Sequence, residues 1–430
     1  MTELCRFSAG QAAEAIRAGT LTSESLTAAC LERIALRDNE VQAWAHLDAD
    51  LALRQARAAD AAQASGQKLG VLHGIPVGIK DIIDTADWPT ENGTSIFKGR
   101  RPARDAGVVT RLKAAGAVIL GKTVTTELAF FGPGKTRNPH NPAHTPGGSS
   151  SGSAAAVADF QVPLALGTQT AGSIIRPASY CGVFGFKPTF GNISTTGVLA
   201  QSPPLDTIGG YARTASDVAL LIEGMGGPEV KIPEVYEGAH HAAPRFAFIK
   251  SPAWVLGEDA MKDAILGIVT LLGGHAEETD LPEAFAATEG LQRAVQFHDI
   301  AANYGPLFDA NPDQISSKLA QVIAEGRTVT ASEYGVACAR RDGLYRALES
   351  IFARFDVILT PAASGPAPEG LTSTGSPAFN FLWTYLGCPA ISVPLCDVGG
   401  LPLGVQLVGP RGGDAALLEA AEWLWLAAPH

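Results

Sequence analysis

The stretch from Thr145 to Thr189 reads TPGGSSSGSAAAVADFQVPLALGTQTAGSIIRPASYCGVFGFKPT. It carries two clusters of small polar residues, Gly147–Ser153 and Thr168–Ser173, separated by the apolar run Val162–Leu166. Such a run, bounded by turn formers, reads as a buried strand. Glycine lets backbone N–H groups approach a ligand, and serine adds hydroxyls with little bulk. Two such loops flanking one strand can face the same small volume. Ser153–Asp159 reads as a helix whose N-terminus points back at the first cluster.

Outward from this stretch, apolar strands alternate with helices. Ser8 and Gln11 form a capping box for a helix ending at Gly19. Further helices are expected over Ser23–Arg37 and Asp48–Ala64. Val71–Ile83 reads as a strand carrying Lys80 inward, Asp105–Ala115 as a helix, and Ala117–Leu120 as a short buried strand. Thr214-Ala215-Ser216-Asp217 opens a helix to about Glu223. Gly226–Pro244 is polar and reads as a linker. A strand at Arg245–Ile249 and a helix at Asp259–Leu272 come next, then helical patterns to Arg354. Strands at Phe355–Thr360, Ala390–Pro394 and Gly404–Val408 precede a closing helix, Ala415–Leu426. This alternation predicts an α/β architecture.

Composition limits what the chain does. The 430 residues, 46% hydrophobic and 17% charged, suit a large globular core. A formal charge of −11 argues against nucleic acid or anionic membrane as the main partner. Met1–Gly19 has no apolar core of a signal peptide, and no run of 18 or more apolar residues appears. Six scattered cysteines without a C-x-x-C pair suit reduced thiols in a cytoplasm.

Three motif matches compete. Gly116-Ala-Val-Ile-Leu-Gly-Lys-Thr123 fits the phosphate-loop pattern G-x-x-x-x-G-K-[ST] letter for letter. Its four middle residues are strand-like, however, and would not cup a phosphate, so a buried strand is the better reading. Gly148-Ser-Ser-Ser-Gly152 fits a nucleophile elbow centred on Ser150. The elbow must follow a strand, and Asn141–Gly148 holds two prolines and two glycines. The histidines it would need, His240, His241, His275 or His298, sit in no distinctive motif. Nor do His240 and His241 have the spacing of a helical metal pair.

The third match is to a family. Gly147–Ala154, Gly167–Pro177, Phe184–Thr189 and the upstream Gly74-Ile-Pro-Val-Gly-Ile-Lys-Asp81 occur in the order and at roughly the spacing of the amidase signature family, which this chain resembles. The resemblance is specific from His73 to Asp217, fair near Asn380–Pro410, and absent over Pro228–Arg354. It implies a mixed central β-sheet flanked by helices on both faces. It implies an N-terminal helical leader over 1–66 and a signature domain over 67–430, with 228–354 as a variable specificity segment. It also implies a Ser–Ser–Lys triad: Ser173 as nucleophile, Ser149 as the bridging serine after a cis peptide bond from Gly148, and Lys80 as base.

Under the same resemblance the N–H groups of Thr170, Ala171, Gly172 and Ser173 line an oxyanion hole. Gly148, Ser150, Gln169 and Arg176 are candidate substrate contacts, Ser150 through a supporting hydrogen bond. Lys80 lies in an apolar strand, and burial favours the neutral amine that a base requires. Asp81 alternates to the other side of that strand and need not reach it. Two positions depart from the family: Gln169 and Ala171 stand where many members carry Asp and Gly. The arginine is also displaced, three residues past Ser173 rather than two. That is similar to malonamidase-type members, in which it holds a substrate carboxylate.

The expected activity is hydrolysis of a small amide, without cofactor or metal, by a cytoplasmic homodimer. The alternatives are a glutaminase subunit of a tRNA-dependent amidotransferase, an α/β-hydrolase-type esterase, and a catalytically silent binding protein.

Overall fold

The computed structural model describes residues 3–226 and 243–428. The linker reading of Gly226–Pro244, and with it His240 and His241, falls almost wholly outside them.

Eleven strands form one mixed sheet: β1 (Trp44–Leu47), β2 (Pro76–Lys80), β3 (Val118–Thr123), β4 (Leu164–Gln169), β5 (Phe184–Lys187), β6 (Thr207–Ala212), β7 (Phe246–Phe248), β8 (Ala276–Glu278), β9 (Val357–Pro361), β10 (Ala390–Val398) and β11 (Leu401–Val408). Their order across the sheet is β1-β3-β2-β4-β6-β5-β10-β11-β9-β7-β8. Strand β2 is parallel to both β3 and β4, and β7 is parallel to β8 and β9. The remaining pairs are antiparallel.

Side chains alternate across the sheet, as strand geometry requires. Leu164 and Leu166, Phe246 and Phe248, and Val357 and Leu359 enter one large core. Helices α1 (Ala9–Arg17), α4 (Gly107–Ala114), α7 (Ala215–Gly226), α8 (Asp259–Leu272) and α14 (Asp414–Ala427) contribute to that core. Ala165 faces the opposite way, against α2 (Ser23–Val41), α5 (Ser151–Ala158) and α6 (Ile175–Cys181). Ala247 and Ile358 do the same against α9 (Thr288–Ala310), α11 (Ala331–Ala347), α12 (Glu349–Phe352) and α13 (Phe381–Tyr385). Helix α3 (Ala49–Ala64) packs on α2 and β3, and α10 (Ser317–Gly326) packs on α9.

Both capping boxes expected from sequence are engaged at their first bond. Gln11 N–H donates to Ser8 Oγ, and Asp217 N–H to Thr214 Oγ1. The leader is not wholly helical, because β1 adds an edge strand beside β3.

Three boundaries moved for identifiable reasons. The expected strand Val71–Ile83 shrinks to β2, because Leu72–Ile75 and Ile82–Ile83 make local turn hydrogen bonds. Strand β3 extends through the phosphate-loop-like residues to Thr123. Lys122 is fully buried there, with Nζ 2.6 Å from Ile83 O, 2.6 Å from Thr90 Oγ1 and 3.7 Å from Asp81. That pairing absorbs both the would-be phosphate lysine and Asp81. Strand β4 runs on to Gln169, past the apolar residues that announced it.

Candidate active site

Strands β2 and β4 lie side by side in the sheet interior and end at the same place, bringing Lys80 and Thr168 together. Lys80 Nζ is 2.7 Å from Ser149 Oγ and 2.7 Å from Thr168 Oγ1. Lys80 is completely buried, and burial holds its ammonium well below the usual lysine range; the charge of Asp206 opposes this only in part. Asp81 leaves Lys80 alone, as its alternation required. The peptide bond between Gly148 and Ser149 is cis. Ser150 is turned away from the cavity: its Oγ donates to Thr168 O and accepts from Thr168 N–H, both at 3.2 Å, and no histidine approaches it among the described residues. The nucleophile-elbow reading therefore fails on geometry.

Ser173 sits in the turn between β4 and α6. Every carbonyl in Thr170–Ser173 accepts a hydrogen bond from the scaffold. The donors are Gln292 Nε2 (3.3 Å), Thr384 Oγ1 (2.6 Å), Arg176 N–H (3.0 Å) and Tyr211 Oη (3.1 Å), in chain order. With its carbonyls tied outward, the turn leaves the N–H groups of Ala171, Gly172 and Ser173 without an acceptor among the described residues. Ala171 has no positive φ, so alanine is unstrained where relatives carry glycine. Gly172 is required for space instead, since a Cβ there would lie 2.3 Å from Asn380 Oδ1.

Ser149 and Ser173 open into one narrow cavity with Ala129, Phe130, Phe131, Ala171, Arg176, Gln201, Gln296 and Pro377. Its free space is about 10 Å³, close to that of one water molecule. A larger guest therefore displaces a wall. The Ala129–Phe131 roof packs on α9 and α10, which belong to the variable segment.

Arg176 is buried. Its Nε donates to Thr374 O (2.7 Å) and its Nη2 to Gly148 O (2.6 Å), while Nη1 has no partner. Among the described residues no carboxylate pairs with it, so the structural ion pair that could explain a buried arginine is missing. Burial brings its guanidinium down to about 10.

The other three candidate substrate contacts behave differently. Gln169 is engaged by the scaffold: its Oε1 accepts from the N–H groups of Ile174 (2.8 Å) and Ile175 (3.0 Å), and its Nε2 donates to Thr384. It fixes the start of α6 instead of facing the cavity. Gly148 and Ser150 do not line the cavity either. Sequence reasoning missed Thr168 as a partner of Lys80, along with Tyr211, Thr374, Gln201, Gln296 and Asp206. Asp206 is buried, which pushes it up to about 6, and it accepts from Thr170 Oγ1 (2.6 Å) and the N–H groups of Gln201 and Ser202. Only Thr168 carried a signal, its place in the second polar cluster.

A lysine amine within reach of one serine, a second serine on the same cavity and free N–H donors beside it define an amide-cleaving serine enzyme. Comparison with known proteins agrees: the family model Amidase matches residues 25–418, and the chain belongs to that family, whose members act on C–N bonds. It is 32% identical to the amidase-family component of the glutamyl-tRNA(Gln) amidotransferase of Chloroflexus aurantiacus, over 98% of this chain and 96% of that one. A crystal structure of an amidase superposes with a TM-score of 0.89 at 27% identity, covering 98% of this chain and 100% of the other. A chain from a vestigial protein complex, solved to trace the origins of an s-triazine catabolic enzyme, superposes with a TM-score of 0.88 at 26% identity, covering 97% and 98%. No described helix is long and apolar enough to cross a membrane.

Proposed function

We propose that this protein is a serine amidohydrolase that cleaves a small amide bearing a carboxylate. The observation that carries the reading is the 2.7 Å contact of a buried lysine with Ser149, in a cavity shared with Ser173 and an arginine lacking an acidic partner among the described residues. Ser173 Oγ attacks the amide carbon as Ser149 Oγ takes its proton and passes its own to neutral Lys80. The N–H groups of the Thr170–Ser173 turn stabilise the oxyanion. The C–N bond breaks as the proton returns through Ser149 to the leaving nitrogen, giving an acyl-Ser173 ester. Water, deprotonated along the same relay, then releases the acid. No step calls for a metal or a nucleotide.

Two measurements test this. A screen of short acid amides, with ammonia or amine detection, should find turnover. In kcat/KM against pH, only the deprotonated amine accepts a proton, so the rate rises with pH and levels off once Lys80 is neutral. Because burial depresses Lys80, the limb should lie well below the free-lysine value of 10.5. A flat profile from pH 6 to 9, unmoved by Lys80→Met, would remove Lys80 from the base role.

Arg176 supplies the carboxylate clamp. A guanidinium grips a carboxylate through paired N–H donors, and Nη1 is uncommitted. Arg176→Met is expected to raise KM for a malonamate-like substrate by one charge-assisted contact, about 1.5–3 kcal/mol. A neutral amide of equal size should lose far less. Equal losses would leave Arg176 only its role of tying Thr374 to Gly148.

The similarity to amidotransferase components favours a second reading, a glutaminase working within a multi-subunit complex. Co-purification of partner proteins, with glutamine preferred over acid amides, would select it. The assembly proposed here is a homodimer acting alone.

A further inference from the structure

Three glutamines form an unbroken chain between the turn that bears Ser173 and the aromatic roof of the cavity. Gln292 Nε2 donates to Thr170 O (3.3 Å) and to Gln296 Oε1 (3.0 Å). Gln296 Nε2 donates to Gln201 Oε1 (2.7 Å). Gln201 Nε2 donates to Ala129 O (3.0 Å) and Leu128 O (3.4 Å). All three side chains are buried.

The ends of the chain determine its orientation. Both are backbone carbonyls, which only accept. Turning any one amide over would set oxygen against oxygen or nitrogen against nitrogen. A carboxamide has two N–H donors and two lone pairs on its oxygen. Gln201 commits both donors to the roof and keeps one lone pair. Gln296 keeps one N–H and one lone pair. Gln201 and Gln296 both line the cavity with Ser149, Ser173 and Arg176, whereas Gln292 does not. Beside the reacting serines there is thus a donor next to two acceptors, held at fixed orientation in a buried wall. An alkyl group against that wall would leave these polar atoms unpaired, and an amide or ureido group would satisfy them.

We propose that Gln296, together with Gln201, is a specificity-determining residue that reads a second amide-type group beyond the scissile C–N bond. The substrate class is then an acylurea-like acid, with its carboxylate on Arg176 and its ureido group on the glutamine pair. This rests on the amide-hydrolase reading and adds to it the identity of the group on the far side of the bond. Gln296 lies on α9, in the segment that matches no family motif, which is where a substrate-choosing residue is free to differ between relatives.

The test uses two isosteric substrates, N-carbamoylmalonamate and N-isopropylmalonamate. In each, the bond between the malonyl carbonyl and its nitrogen breaks. Water adds hydroxyl to the acyl carbon and a proton to the nitrogen, releasing urea or isopropylamine. The preference for the ureide, as a ratio of kcat/KM values, is measured in the wild type and in Gln296→Met. Comparing the two ratios cancels the intrinsic difference between leaving groups. The preference should fall by ~10–100-fold in Gln296→Met. Gln292→Met breaks the same chain without removing a group from the cavity, so it should slow both substrates alike and leave the preference standing. Melting curves establish that both variants fold. An unchanged preference in folded Gln296→Met, or an equal collapse in Gln292→Met, overturns the proposal. Loss of all acid-amide turnover in the wild type would instead bring down the underlying amidohydrolase reading, and this inference with it.

Discussion

Ser173→Ala is expected to lower amide turnover by on the order of 10⁴-fold or more and to leave the fold unchanged. The two halves of that expectation have separate causes. The Ser173 side chain makes no hydrogen bond among the described residues, and Tyr211 holds its backbone carbonyl whatever the side chain. Nothing structural is lost with the hydroxyl, but the only group positioned to form the acyl-enzyme is. Ser149→Ala and Lys80→Met should each fall to a comparable floor, because a proton relay fails completely when any link is removed. Double variants should be no worse than single ones. Methionine is the better replacement for Lys80, since it keeps the buried volume and removes only the amine. Losses that simply add in a double-mutant cycle would show that Ser149 and Lys80 act independently.

The second large effect is on stability, and it comes from a glycine. Gly152 opens α5 against the backbone that connects β1 and β3. A Cβ at this position would lie 2.2 Å from Ala43 O and 2.4 Å from Val124 N. Both atoms belong to the main chain and are locked by hydrogen bonds: Val124 N–H donates to Ala43 O at 2.8 Å, and Gly152 N–H to Val124 O at 3.0 Å. A side chain in the way could rotate aside, but a backbone held on both sides cannot. Gly152→Ala should therefore destabilise by about 3 kcal/mol or more, at or beyond the top of the usual overpacking range. A denaturant titration reads this directly, and a shift below about 0.5 kcal/mol, the level of a neutral surface change, would contradict it. By contrast Gly191, with open space around its Cβ position, has only its positive φ to defend.

The catalytic centre was readable in the sequence because its residues come from compact runs. Lys80, Ser149 and Ser173 each lie in a short segment whose order and spacing match the family. The walls of the cavity were not readable. Gln201 and Gln296 are 95 residues apart and meet only through the tertiary fold. Strands were found where they are apolar and missed where buried polar or glycine residues build them. Thr168 and Gln169 hid the end of β4, although their side chains are bonded inside. In β6, Gly209 and Gly210 look like loop residues but are the close contacts that let β5 and α7 approach; a Cβ on Gly209 would lie 2.0 Å from Phe186 O. Buried lysines misled in the same way. Lys187 on β5 and Lys122 on β3 are fully covered, with Nζ bonded to the carbonyls of Pro188 and Ile83 respectively.

The excursion between β8 and β9 has an evolutionary consequence. It leaves the outermost strand of the sheet, carries α9 to α12 over the cavity, and returns two places further in. The reacting groups stand on β2, β4 and the turns beside them and owe nothing to it covalently. Chemistry and choice of substrate are thus inherited as separable pieces. A lineage can rewrite the excursion, altering its length or its glutamines, without disturbing the machinery that breaks the bond. Grafting the corresponding segment from another family member is the natural route to changing what this scaffold accepts.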